Sequence, residues 1–142
     1  MDKKKLTTLI KDEAIKSGFN LFGVAPAYKD NSNILDNWLN EGYHASMDWI
    51  KKRKEERNNI FKYFPDVKSV ISLGYNYYTG EHPINNKEFK ISNYAWGDDY
   101  HKVIKNKLFK IINIIKNKNI NPEYRVCVDT SPILEKKWAQ KS

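Results

Sequence analysis

The sequence predicts an α+β fold in which helices pack on a small, mostly antiparallel sheet. Its 142 residues, 40% of them hydrophobic, are enough for about one domain with a buried core. The predicted elements follow the order αβααβαβα, and there is no regular βαβ repeat of the kind that builds a parallel sheet. Neither a repeat nor a linker divides the chain, so we expect a single domain over residues 1–142.

The first three predicted elements are a helix, a strand and a second helix. Apolar residues at helical spacing predict a helix over residues 3–17, and Gly18 stands where a glycine commonly ends a helix. A short apolar run predicts a strand over residues 19–25. Ser32 is a candidate N-cap for the next helix, which ends before Gly42.

The middle of the chain predicts a helix, a strand and a loop. A short helix is expected over residues 45–56, followed by an irregular apolar anchor at residues 61–65. Residues 68–78 are rich in Val, Ile and Tyr, which is typical of a central strand. Glycine, proline and paired asparagines then predict a loop over residues 79–90.

The last part of the chain predicts two helices separated by a strand. Residues 100–118 form the strongest predicted helix, because apolar side chains line one face and lysines occupy the other. A final strand is expected over residues 124–129. Pro132 then opens a helix that carries Glu135 in its first turn, where an acidic residue favours the helix dipole.

The composition limits the possible functions. A net charge of +8 favours a polyanionic partner, although a general bias towards lysine and asparagine explains the charge equally well. The single cysteine, Cys127, cannot form an internal disulfide or alone build a zinc or iron–sulfur site, which takes about four Cys or His ligands. Apolar stretches fall far short of the roughly 20 residues needed to span a bilayer, so we expect a cytoplasmic protein without a membrane partner.

Aromatic and charged residues crowd together over residues 91–101, just before the strongest helix. Such a mixture can surround a large planar ligand. Alternatively, Asp98 or Asp99 caps the helix, Trp96 and Tyr100 fill the core, and His101 is an ordinary surface or core histidine. Asp99 and His101 also begin the D-x-H-x-x-G pattern by which one cobalamin class supplies a histidine to cobalt, but Ile104 stands in place of its glycine.

Asp129 and Arg57 are the other candidate site residues. Asp129 ends an apolar predicted strand, and a carboxylic acid that faces a low-dielectric cleft there can hold a proton and act as a general acid. Its alternative role is to cap the helix that Pro132 opens. Arg57 follows a lysine run and either belongs to a solvated face or binds a carboxamide or phosphate edge.

Together with neighbouring blocks, these residues make the chain resemble the amino-terminal domain of the epoxyqueuosine reductase family. The matching blocks cover residues 18–26, 42–49, 64–71, 91–101 and 128–135. Five ordered blocks are a far more specific signal than any single short motif. The resemblance implies a fold similar to B12-processing and nitroreductase-like domains.

The resemblance also implies an oxidoreductase that removes the epoxide oxygen of epoxyqueuosine, at the wobble position of tRNA, and releases it as water. Its cofactor would be base-off cobalamin without a protein ligand to the metal. The family assigns the proton donor to the position of Asp129 and corrinoid contacts to those of Arg57 and Ser92. Asp99, Tyr100 and His101 are expected around the corrin or the substrate.

The family continues beyond the matched region with a ferredoxin-like domain that carries two four-cysteine [4Fe–4S] motifs. We therefore expect a chain truncated before that domain, a complementing or electron-donating chain that carries the clusters, and little turnover by these 142 residues alone. Two alternatives from other classes remain open. One is a non-catalytic domain that binds tRNA or another anion, and the other is a flavin-binding nitroreductase-like domain.

Overall fold

A computed structural model describes residues 2–78, 80 and 91–142. The loop predicted over residues 79–90 lies outside the described residues, apart from Gly80. The helices are α1 (Lys3–Lys16), α2 (Ile34–Asn40), α3 (Asp48–Lys52), α4 (Lys54–Asn58), α5 (Ile60–Tyr63), α6 (Tyr100–Lys116) and α7 (Glu135–Lys141). The strands are β1 (Leu21–Pro26) and β2 (Ser69–Gly74), and a 3₁₀ turn spans Asn93–Ala95.

The two strands form an antiparallel pair. The N–H of Asn20 donates to the carbonyl of Gly74 at 2.8 Å, and the N–H of Ala27 donates to the carbonyl of Lys68 at 3.0 Å. These hydrogen bonds flank the two ends of the pair. The predicted α+β class with a small antiparallel sheet is confirmed.

The described chain divides into two compact units, each built from two stretches of sequence. The first unit comprises Met1–Phe22 and Leu73–Val128, and the second comprises Gly23–Ser72 and Asp129–Ser142. Each unit has its own buried apolar cluster. No helix within the described residues combines the length and the apolar character needed to cross a bilayer.

In the first unit, α1 packs against α6. The apolar stripes predicted for these helices meet here, because burial of such a stripe is what stabilises an amphipathic helix in a folded protein. The buried residues are Ala14, Phe19, Ile111 and Ile115, with Leu6, Ile10, Phe22, Leu73, Ile104, Leu108 and Ile120 packed around them.

In the second unit, α7 supplies the largest side chain of the core. Trp138 is buried and its ring lies 4.6 Å from that of Tyr28. Of the apolar anchor predicted over residues 61–65, Phe64 packs against the same cluster, whereas Phe61 is exposed and lies in the helix α5, so the predicted irregular conformation is wrong there. The buried members of this cluster are Ala25, Ile60, Val67 and Trp138.

Glycines end α1 and α2 as the sequence predicts. Gly18 has φ +89° and Gly42 has φ +74°, in the left-handed region that glycine adopts without steric cost. Behind Gly18, the N–H of Phe19 donates to the carbonyl of Ala14 at 3.1 Å. This bond, with that of the Gly18 N–H to Ile15, forms a Schellman motif and satisfies carbonyls that the helix end leaves open.

The single helix predicted over residues 45–56 is wrong. Ala45 has a left-handed φ of +46°, and two short helices, α3 and α4, meet at Arg53. Asn59 then turns to an extended conformation, and its side chain accepts the N–H of Phe61 at 3.1 Å to begin α5. Asparagine caps favour such breaks because the side chain replaces a backbone acceptor.

The strand predicted over residues 124–129 is also wrong. Within the described residues this segment pairs with no strand, and Asp129 at its end has a left-handed φ of +55°. A strand depends on a neighbour that accepts its hydrogen bonds, and its own apolar pattern does not supply that neighbour.

Three other predicted boundaries shift. Asn33, rather than Ser32, is the N-cap residue of α2. The second strand ends at Gly74, and the last helix begins at Glu135, which leaves Pro132 fully buried in the loop before it.

Candidate functional site

The second unit contains a surface cavity of about 580 Å³ between the α2 region and the loop that leads into α7. Apolar atoms make up most of the surface area of its wall, and the apolar residues there are Ile34, Leu35, Trp38, Ile133 and Leu134. The polar residues on the wall are Asp30, Asp129, Glu135, Lys136, Lys137 and Gln140. An apolar cavity with a few convergent polar groups is the usual form of a small-ligand site.

Asp129, the predicted general acid, lies on the wall of this cavity. It does not end a strand that faces a dry cleft, as the sequence predicted, but occupies an exposed left-handed turn. Its N–H donates to Oε1 of Glu135 at 2.9 Å. The alternative prediction, in which Asp129 caps the last helix, is wrong, because the cap position of α7 is Leu134.

Glu135 is the half-buried partner of Asp129. Burial raises the pKa of Glu135, and the hydrogen bond from the Asp129 N–H opposes that rise. The negative charge of the Asp129 side chain and its hydrogen bond with Glu135 raise the pKa of Glu135 further. Two carboxyls in contact retain a proton to higher pH than an isolated carboxyl does.

An ion pair stands on the same wall. Nζ of Lys137 forms a hydrogen-bonded ion pair with Asp30 and donates to Oγ of Ser32 at 2.9 Å. The Asp30 and Lys137 side chains are only 12% and 23% exposed. Desolvation works to raise the pKa of Asp30, but the hydrogen bonds from Lys137 and Ser32 outweigh it and lower that pKa.

Arg57 belongs to the second unit and is not among the residues that line this cavity. Its Nη1 donates to the carbonyls of Ile50, at 3.4 Å, and Arg53, at 3.3 Å. Burial lowers the pKa of Arg57, as does repulsion from Arg53, whereas Glu56 raises it. The guanidinium thus ties α3 to α4, a structural contact that the sequence did not reveal.

The remaining predicted site residues, Ser92, Asp99, Tyr100 and His101, all belong to the first unit. Oδ1 of Asp99 accepts the N–H of His101 at 3.0 Å and lies 2.9 Å from Nδ1 of its ring. The hydrogen bonds from His101 lower the pKa of Asp99. Asp99 is therefore the N-cap of α6, which confirms the capping alternative.

Aromatic rings form a row beside this cap. The His101 ring stacks on Tyr100 at 4.0 Å, and Tyr94 meets Tyr100 edge to face at 6.0 Å. Tyr77 extends the row through Tyr94 at 6.3 Å, and these two tyrosines are 58% and 54% exposed. Exposed aromatic surface of this kind fits the face of a large planar ring.

Ser92 lies at the start of the adjoining 3₁₀ turn, where its carbonyl accepts the N–H of Ala95 at 2.9 Å. Within the described residues, no three or more His, Cys, Asp or Glu side chains gather as a metal site. The first unit thus has an exposed aromatic surface. Taken by itself, the second unit has a cavity with Asp129 and Glu135 on its wall.

Two features of the cavity were missed by the sequence analysis. Glu135 was placed only by its effect on the helix dipole, and Lys137 was not singled out. The sequence signal for the contact between Glu135 and Asp129 is their spacing around Pro132. A loop fixed by a buried proline can bring a carboxyl back to the backbone N–H of the residue six positions earlier.

Comparison with known proteins identifies the family. The model described as Epoxyqueuosine reductase QueG, DUF1730, matches residues 57–130, a range that contains all six predicted site residues. A relative from Prochlorococcus marinus, named epoxyqueuosine reductase, is 35% identical over 96% of this chain and 45% of its own length. One from Atelocyanobacterium thalassa with the same name is 41% identical over the same shares.

A solved structure shows the same relationship. The epoxyqueuosine reductase of Streptococcus thermophilus superposes with a TM-score of 0.70 and 26% sequence identity, over 98% of this chain and 38% of that one. The chain thus spans less than half the length of these relatives. Sequence and fold agree that the chain belongs to the epoxyqueuosine reductase family.

Proposed function

We propose that this chain is the cobalamin-binding domain of an epoxyqueuosine reductase and acts in the reduction of epoxyqueuosine to queuosine at the wobble position of tRNA. The reaction consumes two electrons and two protons for each epoxide and releases the oxygen as water. Family membership supports the reaction class. The observation that carries the proposal is Asp129, which lies in the matched segment on the wall of an apolar cavity, beside a second carboxyl.

Asp129 is the general acid in this proposal. Negative charge develops on the epoxide oxygen as its carbon–oxygen bond breaks, and a carboxylic acid within hydrogen-bond reach quenches it by proton transfer. Asp129 is left as the carboxylate and is reprotonated before the next turnover.

The family resemblance supports Arg57 and Ser92 as corrinoid contacts, and we propose that Asp99, Tyr100 and His101 contact the corrin or the substrate. The exposed rings of the first unit favour a planar macrocycle, since each offers an aromatic face or edge. His101 is engaged by Asp99 and by stacking on Tyr100, an arrangement that suits contact with the rim of the cofactor. When bound, cobalamin supplies the reducing electrons for the epoxide carbon.

The electrons must reach the cofactor from another source, because the single cysteine cannot ligate a cluster. We propose [4Fe–4S] clusters on protein sequence outside these 142 residues. A chemical reductant should replace them in vitro.

Turnover on tRNA tests the proposal. The purified chain is loaded with cobalamin, reduced with titanium(III) citrate and incubated with tRNA that carries epoxyqueuosine, and the nucleosides are quantified by mass spectrometry. We expect queuosine to form, and Asp129→Asn to lower the rate by about 100-fold or more. Asp12→Asn, an exposed aspartate on α1, is the matched control and should retain the wild-type rate.

A physiological reductant alone should give little product from the isolated chain. Queuosine formation that does not require cobalamin, or an Asp129→Asn rate equal to that of the control, would contradict the proposal. The absorbance spectrum after reconstitution separates a corrinoid from a flavin, so the same sample also tests the flavin-binding alternative.

A further inference from the structure

The carboxyl of Glu135 contacts the main chain of the residue proposed as acid. Oε1 of Glu135 accepts the N–H of Asp129 at 2.9 Å. Asp129 has φ +55°, in the left-handed region that non-glycine residues rarely adopt. Such a conformation persists only where surrounding contacts determine it.

The rest of the loop is fixed by other contacts. Pro132 is fully buried, and the N–H of Ile133 donates to the carbonyl of Ser131 at 2.8 Å. The hydroxyls of Tyr63 and Ser131 are 3.4 Å apart. These contacts hold the centre of the loop, whereas Glu135 holds the amide of Asp129 itself.

We infer that Glu135 is a positioning residue for Asp129: its carboxyl keeps the Asp129 main chain in the left-handed conformation and pairs with the Asp129 side chain on the wall of the same cavity. The inference rests on the proposed role of Asp129 as the proton donor. It assigns Glu135 no contact with substrate or cofactor.

The charged groups that face Glu135 come from every segment of the cavity wall. Asp129, Asp30, Lys136 and Lys137 are the other charged groups on its wall, and Asp30 is already paired with Lys137. Burial raises the pKa of Glu135, and the Asp129 charge and hydrogen bond raise it further. Burial and the neighbouring Asp129 therefore both favour the protonated form of Glu135.

Two substitutions separate the two parts of the inference. Glu135→Gln keeps an oxygen that can accept the Asp129 N–H but removes the titrating group, whereas Glu135→Ala removes both. Glu123→Gln and Glu123→Ala, at an exposed glutamate, are the matched controls. Amide exchange at Asp129 and carboxyl ¹³C shifts of Asp129 against pH are measured by NMR on the full chain without cofactor, and turnover is measured as above.

We expect Asp129 amide exchange to accelerate by about tenfold in Glu135→Ala and to change by less than about threefold in Glu135→Gln. The Asp129 carboxyl shift should follow the Glu135 titration in the wild type and lose that step in both variants. Turnover by Glu135→Gln should fall by about tenfold, with its pH profile moved to lower pH, because the group that retains the proton is gone. The Glu123 variants should match the wild type.

Unchanged Asp129 exchange in Glu135→Ala, together with the same Asp129 titration in Glu135→Gln as in the wild type, would overturn the inference. If Glu135→Ala does not fold, the titration of Glu135→Gln alone decides. The two proposals fail separately. An Asp129→Asn variant with full turnover would refute the acid role of Asp129 but not the NMR coupling. An absent coupling, together with an inactive Asp129→Asn variant, would refute only the positioning role of Glu135.

Discussion

At the scale of single residues, the ion pair of Lys137 and Asp30 ties the start of α7 to the loop after β1. Replacing Lys137 with Met keeps its apolar stem but leaves the mostly buried Asp30 carboxylate without its cation. We expect the free energy of unfolding to fall by about 1–2 kcal/mol near neutral pH. Urea denaturation of Lys137→Met measures this, and Lys136→Met, at the exposed neighbour, should change it by less than about 0.5 kcal/mol.

The pH dependence of this loss has a defined sign. The pKa of Asp30 is lowered in the folded state from its ordinary value of 3.8, so the pair stabilises the fold above that value. This stability is lost as the pH falls through the lowered pKa and the carboxyl binds a proton in both states. The difference between Lys137→Met and the wild type should therefore shrink in acid. A difference that grows as the pH falls would contradict the assignment.

Single residues were predicted best where the chemistry is local. The capping role of Asp99 depends on a backbone N–H two residues later, so the sequence contained it. The contact of Glu135 with Asp129, and that of Lys137 with Asp30, depend on how loops return to the same cavity. The sequence alone does not show which distant residues these loops bring into contact.

At the scale of elements, α6 is the helix on which the first unit depends most. Ile111 is 4% exposed, whereas Phe109 on the same helix is 43% exposed. We expect Ile111→Ala to destabilise the protein by about 2–4 kcal/mol, through lost burial and the cavity left behind. Phe109→Ala should cost less than about 1 kcal/mol. Urea denaturation of both variants checks this, and equal losses would show that the apolar stripe does not determine the packing.

Periodicity predicted α6 because the backbone hydrogen bonds of its interior close within the helix. The same reasoning failed over residues 124–129, since a strand requires a partner that lies elsewhere in the sequence. It failed again over residues 45–56, where a single helix was expected. The left-handed turn at Ala45 and the cap at Asn59 bound shorter helices there. Elements whose hydrogen bonds lie within their own segment were predictable from the sequence. Elements whose hydrogen bonds or turns depend on other segments were not.

At the scale of the whole molecule, the net charge of +8 affects binding and catalysis differently. Lysine contacts with phosphates release counterions, so affinity for tRNA should fall by roughly tenfold or more between about 50 and 200 mM salt. Proton donation, the role proposed for Asp129, involves no such release. We therefore expect Asp129→Asn to have the same affinity and salt dependence as Asp12→Asn, while its turnover falls by about 100-fold or more.

Fluorescence anisotropy with labelled tRNA, at several salt concentrations, measures the binding half of this prediction. Asp12→Asn makes the same change of charge away from the cavity, so it corrects for the extra positive charge of Asp129→Asn. Binding that ignores salt would show that the basic surface does not contact phosphates. Salt-dependent binding without turnover, in the wild type as in the variant, would instead favour a non-catalytic tRNA-binding domain. Such a domain requires the lysines but does not require a carboxylic acid on the wall of the cavity.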